Sequence, residues 1–290
     1  MTGGIHTPWE SDLSTGRNTV VDASLFVQHT YPTLRIEHPA AHILLVKLNR
    51  PQVANALNTQ MGRDLLTLFS ELTLHSAGLR CVVITGMGER AFCAGGDLNE
   101  RDGMSDSDWE AQHVVFEQAF RAVFECPIPL LAAVNGAAYG GGCELALACD
   151  FIYAAESARF AQTETRLGII PGGGGTQTLA RAVGIARAKE IIFSAKPFDA
   201  AQALSWGMVN KVVPSAALIA EAMGTAQVIA DNAPIAVRQA KLAIANGVEV
   251  DRRTGYVIEL AAYGRCVTTQ DRREGITAAR EKRQPKFMGN

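Results

Sequence analysis

Three observations predict an α/β fold with substantial parallel strand pairing. Short apolar, β-rich runs ("HILLVKLNRP", "LRCVVITG", "IPLLAAVNG", "CDFIYAA") end at glycine, at Asn-Arg-Pro or at small residues, as buried strands do. Helical stretches separate them, and parallel neighbours need crossovers of that kind. After "GMVNKVVP" the strand signal largely ceases and helices follow one another.

In chain order, residues 1–33 are polar and without period, which predicts a flexible extension. "NTQMGRDLLTLFSELTLHS" places Met61, Leu65, Leu68, Phe69 and Leu72 three and four residues apart, the stripe of an amphipathic helix. "SDSDWEAQHVVFEQAFRAVFEC" begins with capping residues ahead of its own apolar face. The segments "SAALIAEAMGTAQVIADN", "PIAVRQAKLAIANG" and "TGYVIELAAYGRCVTTQDRREGITAAREKR" read as successive helices. The domain reading is therefore an extension over 1–33, a core over 34–214 and a helical region over 215–290, with the boundary near Pro214. The basic end, "EKRQPKFMGN", reads as a solvated tail or a ligand clamp.

Composition narrows the function classes. With 290 residues, 48% hydrophobic, the chain has enough apolar material for a large core. A formal charge of -2 supplies no global basic field for nucleic acid, so an anionic ligand must meet local cations. Six scattered cysteines form no CxxC pair and read as reduced core thiols, which fits a cytoplasmic setting. The start "MTGGIHTPWESDLSTGRN" lacks the basic-then-apolar pattern of a secretion signal, and no run is apolar for the length of a membrane span.

Three glycine clusters carry the chemical signal: "AFCAGGDLNE", "GAAYGGGCELALACD" and "IIPGGGGTQTLARAVG". None completes a P-loop or a convincing dinucleotide fingerprint. A helix starting near Gly141 would leave its first N–H groups free for an oxygen that gains charge during reaction, and Gly96 would expose a second donor from another turn. Each cluster taken singly is equally well explained by a tight turn. Glu144, in the first turn of that helix, and Glu164, before the third cluster, could share one water, one taking a proton and the other delivering one. Asp97 and Asp150 also stand beside glycine-rich turns, so acidity alone does not single out the two glutamates. All six histidines precede the second and third clusters, and no HExxH, Cys/His ligand spacing or GxSxG elbow occurs, which argues against a metal site or a serine triad.

Taken together and in order, "NRPQVANALN", "AFCAGGDLNE", "AAVNGAAYGGGCELALACD", "FAQTETRLGIIPGGGGTQTLARAVG" and "DRREGITAAREKR" resemble the successive motifs of the crotonase superfamily, specifically its enoyl-CoA hydratases. The resemblance runs from about residue 34 to the last residue. It implies a spiral core of ββα units, a C-terminal helical trimerisation region and assembly as a homotrimer or a dimer of trimers. It also implies an acyl-CoA substrate whose coenzyme A is carried in, with no separate cofactor. Gly96 and Gly141 match the two backbone donors to the thioester oxygen, and Glu144 and Glu164 match the acid/base pair. Val53, Ala54, Ala56, Ala94, Asp97, Leu98 and Asn99 match positions along the coenzyme A path. Lys282 matches a basic residue that reaches coenzyme A from a neighbouring subunit. Two positions depart from the pattern: Ala279 stands where an aromatic is frequent, and Asn99 where lysine is.

"DLNERDGM", "ETRLGIIPGGGGTQ", "KEIIFSAKPFD" and "AKLAIANGVEVDRRTG" are similar to the methylglutaconyl-CoA hydratase branch. A member of that branch binds AU-rich RNA, a property associated with a lysine-rich helix. The matching stretch here, 58–76, has Arg63 and no lysine, so RNA binding is not expected. The expected activity is syn hydration of a 2-enoyl-CoA. Alternatives are methylglutaconyl-CoA-type specificity, an enoyl-CoA isomerase, or a non-catalytic CoA- or RNA-binding protein.

Overall fold

The four predicted strand runs lie side by side in one sheet, and the chain leaves that sheet and returns to it in a regular alternation. The structure, a computed structural model, describes residues 24–75 and 78–290. Its strands are β1 (Leu34–Ala40), β2 (Ile43–Leu48), β3 (Cys81–Gly86), β4 (Ala91–Cys93), β5 (Leu130–Val134), β6 (Ala137–Tyr139), β7 (Phe151–Ala155), β8 (Arg159–Ala161), β9 (Phe198–Asp199) and β10 (Lys211–Val213). Six form a sheet in the order β1-β2-β3-β5-β7-β10, and four form a second in the order β4-β6-β8-β9. Pairing is parallel except at β1–β2 and β8–β9.

Each of β3, β5 and β7 is followed within a few residues by a short strand of the second sheet, and a longer excursion then leads back to the first. This repeated passage is the spiral of ββα units. Its corners need glycine for lack of space: a Cβ on Gly86 would overlap the Ala91 carbonyl oxygen. Every residue of β3 and β5 is buried, which is why these runs show no polar alternation.

Two apolar layers enclose the larger sheet. On one face, the helix Thr59–Leu74 starts with Asn58 accepting from the Met61 N–H and buries Met61, Leu65, Leu68, Phe69 and Leu72. The helix Asp106–Phe124, capped by Ser105, packs beside it through Phe116, Ala119, Phe120 and Val123. On the other face, Ala222, Ala226 and Ala230 of the helix Leu218–Ala230 meet Ile43, Val83 and Leu131. The last strand ends at Val213, just before Pro214, and the first helix beyond it still covers the core sheet.

Three further helices, Pro234–Gly247, Arg252–Val267 and Gln270–Glu281, follow. Lys241 ties the first of them to the core, donating to Asp150 Oδ2 at 2.8 Å and to the Ile128 carbonyl at 3.0 Å. Arg80 of the core donates to the Ala230 and Phe287 carbonyls.

Most of the predicted N-terminal extension lies outside the described residues. Its last part differs from the expectation: Ser24–Gln28 is a helix, and Phe26, Tyr31 and Thr33 are buried. Thr33 donates through both N–H and hydroxyl to Asp64 Oδ2, so an apolar anchor and a buried carboxylate hold a stretch whose composition looked featureless.

The second sheet and the helix Gly141–Ala148 are joined where Gly142 meets β4. A Cβ on Gly142 would overlap the Cys93 carbonyl oxygen. Gly142→Ala is therefore expected to destabilise the protein by about 3 kcal/mol, read as a lowered urea midpoint. An unchanged midpoint would mean that the backbone there yields easily.

Candidate active site

The turn after β4 is strung against Leu57. Leu57 N–H donates to the Gly95 carbonyl at 2.7 Å, and Asp97 N–H donates to the Leu57 carbonyl at 2.9 Å. Because the 95–96 peptide is trans, the Gly96 N–H points opposite to the Gly95 carbonyl, away from Leu57. The second turn comes from Gly140, whose φ of 49° and ψ of -123° suit glycine alone, and Gly141 opens the helix Gly141–Ala148. As a first helical residue, Gly141 has an N–H with no intrahelical acceptor. The two turns touch: a Cβ built on Gly95 would lie 3.5 Å from Gly141 N. Both line a cavity of about 840 Å³.

Glu144 and Glu164 enter the same cavity from different elements, the first from the helix Gly141–Ala148 and the second from the tight turn Glu164–Leu167. The third glycine cluster accounts for Glu144. Its Oε1 accepts from the N–H groups of Gly173 and Gly175, each at 2.8 Å. Side chains would crowd that cradle, since a Cβ on Gly175 would stand 2.9 Å from Glu144 Oε1. Burial dominates and pushes the Glu144 pKa up to about 7, against the two N–H bonds and with added repulsion from Glu164. Burial also raises the pKa of Glu164, opposed by nearby backbone N–H groups and by Arg101.

A buried carboxyl held in this way has a consequence for stability. Because the folded protein binds the Glu144 proton more tightly than the unfolded chain does, this group's contribution to stability is complete below about pH 4.5 and is lost as pH rises through about 7. The loss amounts to about 3 kcal/mol. Glu144→Gln keeps an oxygen for the Gly173 and Gly175 donors and does not titrate. The variant is expected to gain on the natural protein in urea unfolding as pH is raised from 5 to 8. A stability difference that is the same at both ends would refute this.

The remaining acids are engaged elsewhere. Asp97 pairs with Arg50 at 2.8 Å and caps the Asn99 N–H, and Asp150 is bound by Lys241 and the Leu130 N–H. Geometry separates four acids that look alike in the sequence. Of the other predicted contacts, Ala94 and Leu98 line the cavity, whereas Val53, Ala54, Ala56, Asp97 and Asn99 do not. Ala54 instead accepts from the Ala94 N–H at 3.0 Å, supporting the turn from behind. Asn55 between them is fully buried and bonds to the Arg50 N–H and to the Met87 and Ala91 carbonyls. Lys282 ends the helix Gln270–Glu281 in a left-handed conformation and is not among the lining residues.

Sequence reasoning missed Gln162 and Arg101. Both polar atoms of the fully buried Gln162 amide lack a hydrogen-bond partner among the described residues, as does Glu164 Oε2. Such buried atoms are expensive; Glu164 lines the cavity, whereas Gln162 lies behind it, against Gly175. A polar residue two places before a candidate acid was the only available signal. Arg101 lay past the end of the motif that drew attention to Gly96.

Comparisons with known proteins point to one family. The family model described as enoyl-CoA hydratase/isomerase matches residues 38–290. A short-chain-enoyl-CoA hydratase of Clostridium acetobutylicum is 40% identical over 242 residues, 83% of this chain and 92% of that protein. The human mitochondrial methylglutaconyl-CoA hydratase is 39% identical over 267 residues, 90% of this chain and 78% of that protein. A crystal structure of an enoyl-CoA hydratase from Bacillus anthracis superposes with a TM-score of 0.87 at 43% identity, covering 89% of this chain and all of that one.

Proposed function

The chain belongs to the enoyl-CoA hydratase/isomerase family, and from that premise we propose that it adds water across the 2,3 double bond of a 2-enoyl-CoA, or removes it in the reverse direction. The observation that carries this reading is the meeting of Glu144, Glu164 and the Gly95–Gly96 and Gly140–Gly141 turns in one cavity.

In the proposed reaction the thioester oxygen accepts from the N–H groups of Gly96 and Gly141. Glu144 takes a proton from water as its oxygen attacks C3, and the π electrons move onto the thioester as an enolate. The enolate returns its electrons to C2, which takes a proton from Glu164. Two donors fixed before reaction stabilise the enolate charge more than they stabilise the neutral carbonyl. The two glutamates together hold one proton before and after: Glu144 ends neutral and Glu164 ionised, the substrate gains one whole water, and a proton passes from Glu144 back to Glu164 before the next turnover. The surroundings favour that end state, since Glu144 is the deeper of the two and the Arg101 charge favours the ionised form of Glu164. The steps call on this chain and the substrate alone, with coenzyme A carried in by the substrate.

The exposed apolar residues of the C-terminal helices, among them Leu242, Ile244, Tyr256, Leu260 and Tyr263, support assembly with further copies as a homotrimer or dimer of trimers. Six free cysteines support a cytoplasmic setting. Among the described residues no helix is long and apolar enough to cross a membrane.

Incubation with crotonyl-CoA is the direct test, with loss of the conjugated thioester absorbance as the expected result. No turnover across short and branched 2-enoyl-CoAs, together with a double-bond shift in a 3-enoyl-CoA, would replace hydration by isomerisation.

A further inference from the structure

Arg50 and Asp97 form an ion pair that lies outside the cavity lining and takes no part in the proposed reaction. Arg50 Nη1 donates to Asp97 Oδ2 at 2.8 Å and to the Ala56 carbonyl at 2.7 Å. Little of either side chain is exposed, 17% of Arg50 and 7% of Asp97. The arginine is fixed at its backbone as well: its N–H donates to Asn55 Oδ1 and its carbonyl accepts from the Asn55 N–H, each at 2.9 Å. Asn55 is itself fully buried.

The other end of the pair adjoins the Gly96 donor. Asp97 N–H is held by the Leu57 carbonyl, and Asp97 Oδ1 accepts from the Asn99 N–H at 3.1 Å, which caps the short helix Leu98–Arg101. Asparagine caps a helix as well as aspartate does. The carboxylate charge is therefore more than the turn requires, and it stands one residue from an N–H proposed to hold an oxygen that becomes negative. In a poorly solvated wall such a charge opposes the enolate over several ångströms, and salt screens it little. We propose that Arg50 is a positioning residue for the hydration step, acting through Asp97: it cancels the carboxylate charge beside Gly96, so that the turn keeps its cap while the Gly96 donor keeps its full pull on the thioester oxygen. This inference rests on the hydratase reading for the oxygen that Gly96 receives.

Removing the two charges is expected to have unequal effects, which a merely structural pair would not give. Arg50→Met leaves the carboxylate unopposed and is expected to lower kcat for crotonyl-CoA by about 10- to 100-fold, with KM little changed. Asp97→Asn keeps the cap and leaves a cation on the side that favours the enolate, so its loss is expected to be smaller, at most about threefold. Arg50→Met combined with Asp97→Asn carries neither charge and is expected to recover to within about threefold of Asp97→Asn. The infrared carbonyl stretch of bound butanoyl-CoA, a saturated thioester that cannot be hydrated, reads the polarisation directly. It is expected to rise toward its free value in Arg50→Met and to return to the natural frequency in the double variant. A loss in Asp97→Asn as large as in Arg50→Met, or a double variant no better than Arg50→Met, overturns the proposal. If Arg50→Met does not fold, the double variant, which buries no lone charge, decides alone: a kcat within about threefold of Asp97→Asn sustains the proposal and a larger loss overturns it. If crotonyl-CoA is not hydrated while the stretch still shifts in Arg50→Met and returns in the double variant, the hydratase reading fails and the role of Arg50 stands. If crotonyl-CoA is hydrated and neither kcat nor the stretch distinguishes the variants, the role of Arg50 fails and the hydratase reading stands.

Discussion

Glu144→Gln is expected to lower kcat for hydration of crotonyl-CoA by about 10²- to 10⁴-fold, the range for a positioned general base. Glutamine keeps an oxygen for the Gly173 and Gly175 donors, so the cradle and the cavity shape persist and KM changes little. What is lost is the ability to take a proton from water. Glu164→Gln is expected to act on the same scale by removing the proton for C2. Because the two carboxyls serve one water and one enolate, the double variant should be little slower than the worse single one. Steady-state kinetics with crotonyl-CoA reads all three. Full activity in either single variant would remove that residue from the reaction.

The second large effect concerns a backbone atom. Gly141→Pro deletes one N–H at the first position of a helix, a place where proline is tolerated. The expected loss is about 10²- to 10³-fold in kcat/KM, as for other single oxyanion donors. Gly141→Ala is the control: it keeps the N–H, and its Cβ is crowded by Leu57 Cδ1 at 2.9 Å, the end of a movable side chain, with Gly95 Cα at an ordinary 3.9 Å. Equal losses in the two variants would show that space at Gly141, not its donor, is what matters.

How much of this was legible in the sequence depended on length and locality. The long buried strands and amphipathic helices declared themselves, because burial over five or more residues leaves a pattern. The second sheet did not: β4, β6, β8 and β9 have two or three residues each, too few for any period. Gly96, Gly141, Glu144 and Glu164, which line one cavity, stand out by their neighbours in the chain. The cradle of Gly173 and Gly175 around Glu144 was not, since nothing local relates residues 29 and 31 positions apart. Arg101 shows the same limit, as its orientation is decided by Gln112, Trp109 and a missing Cβ at position 96.

The contact between Gly142 and Cys93 binds the helix that opens at Gly141 to the strand that precedes Gly96. The two glycine turns therefore belong to one rigid body, whereas Trp109 and Val114 line the cavity from another element, the helix Asp106–Phe124. A substitution at Trp109 or Val114 can thus reshape that wall while Gly142 and Cys93 still hold the spacing between the turns.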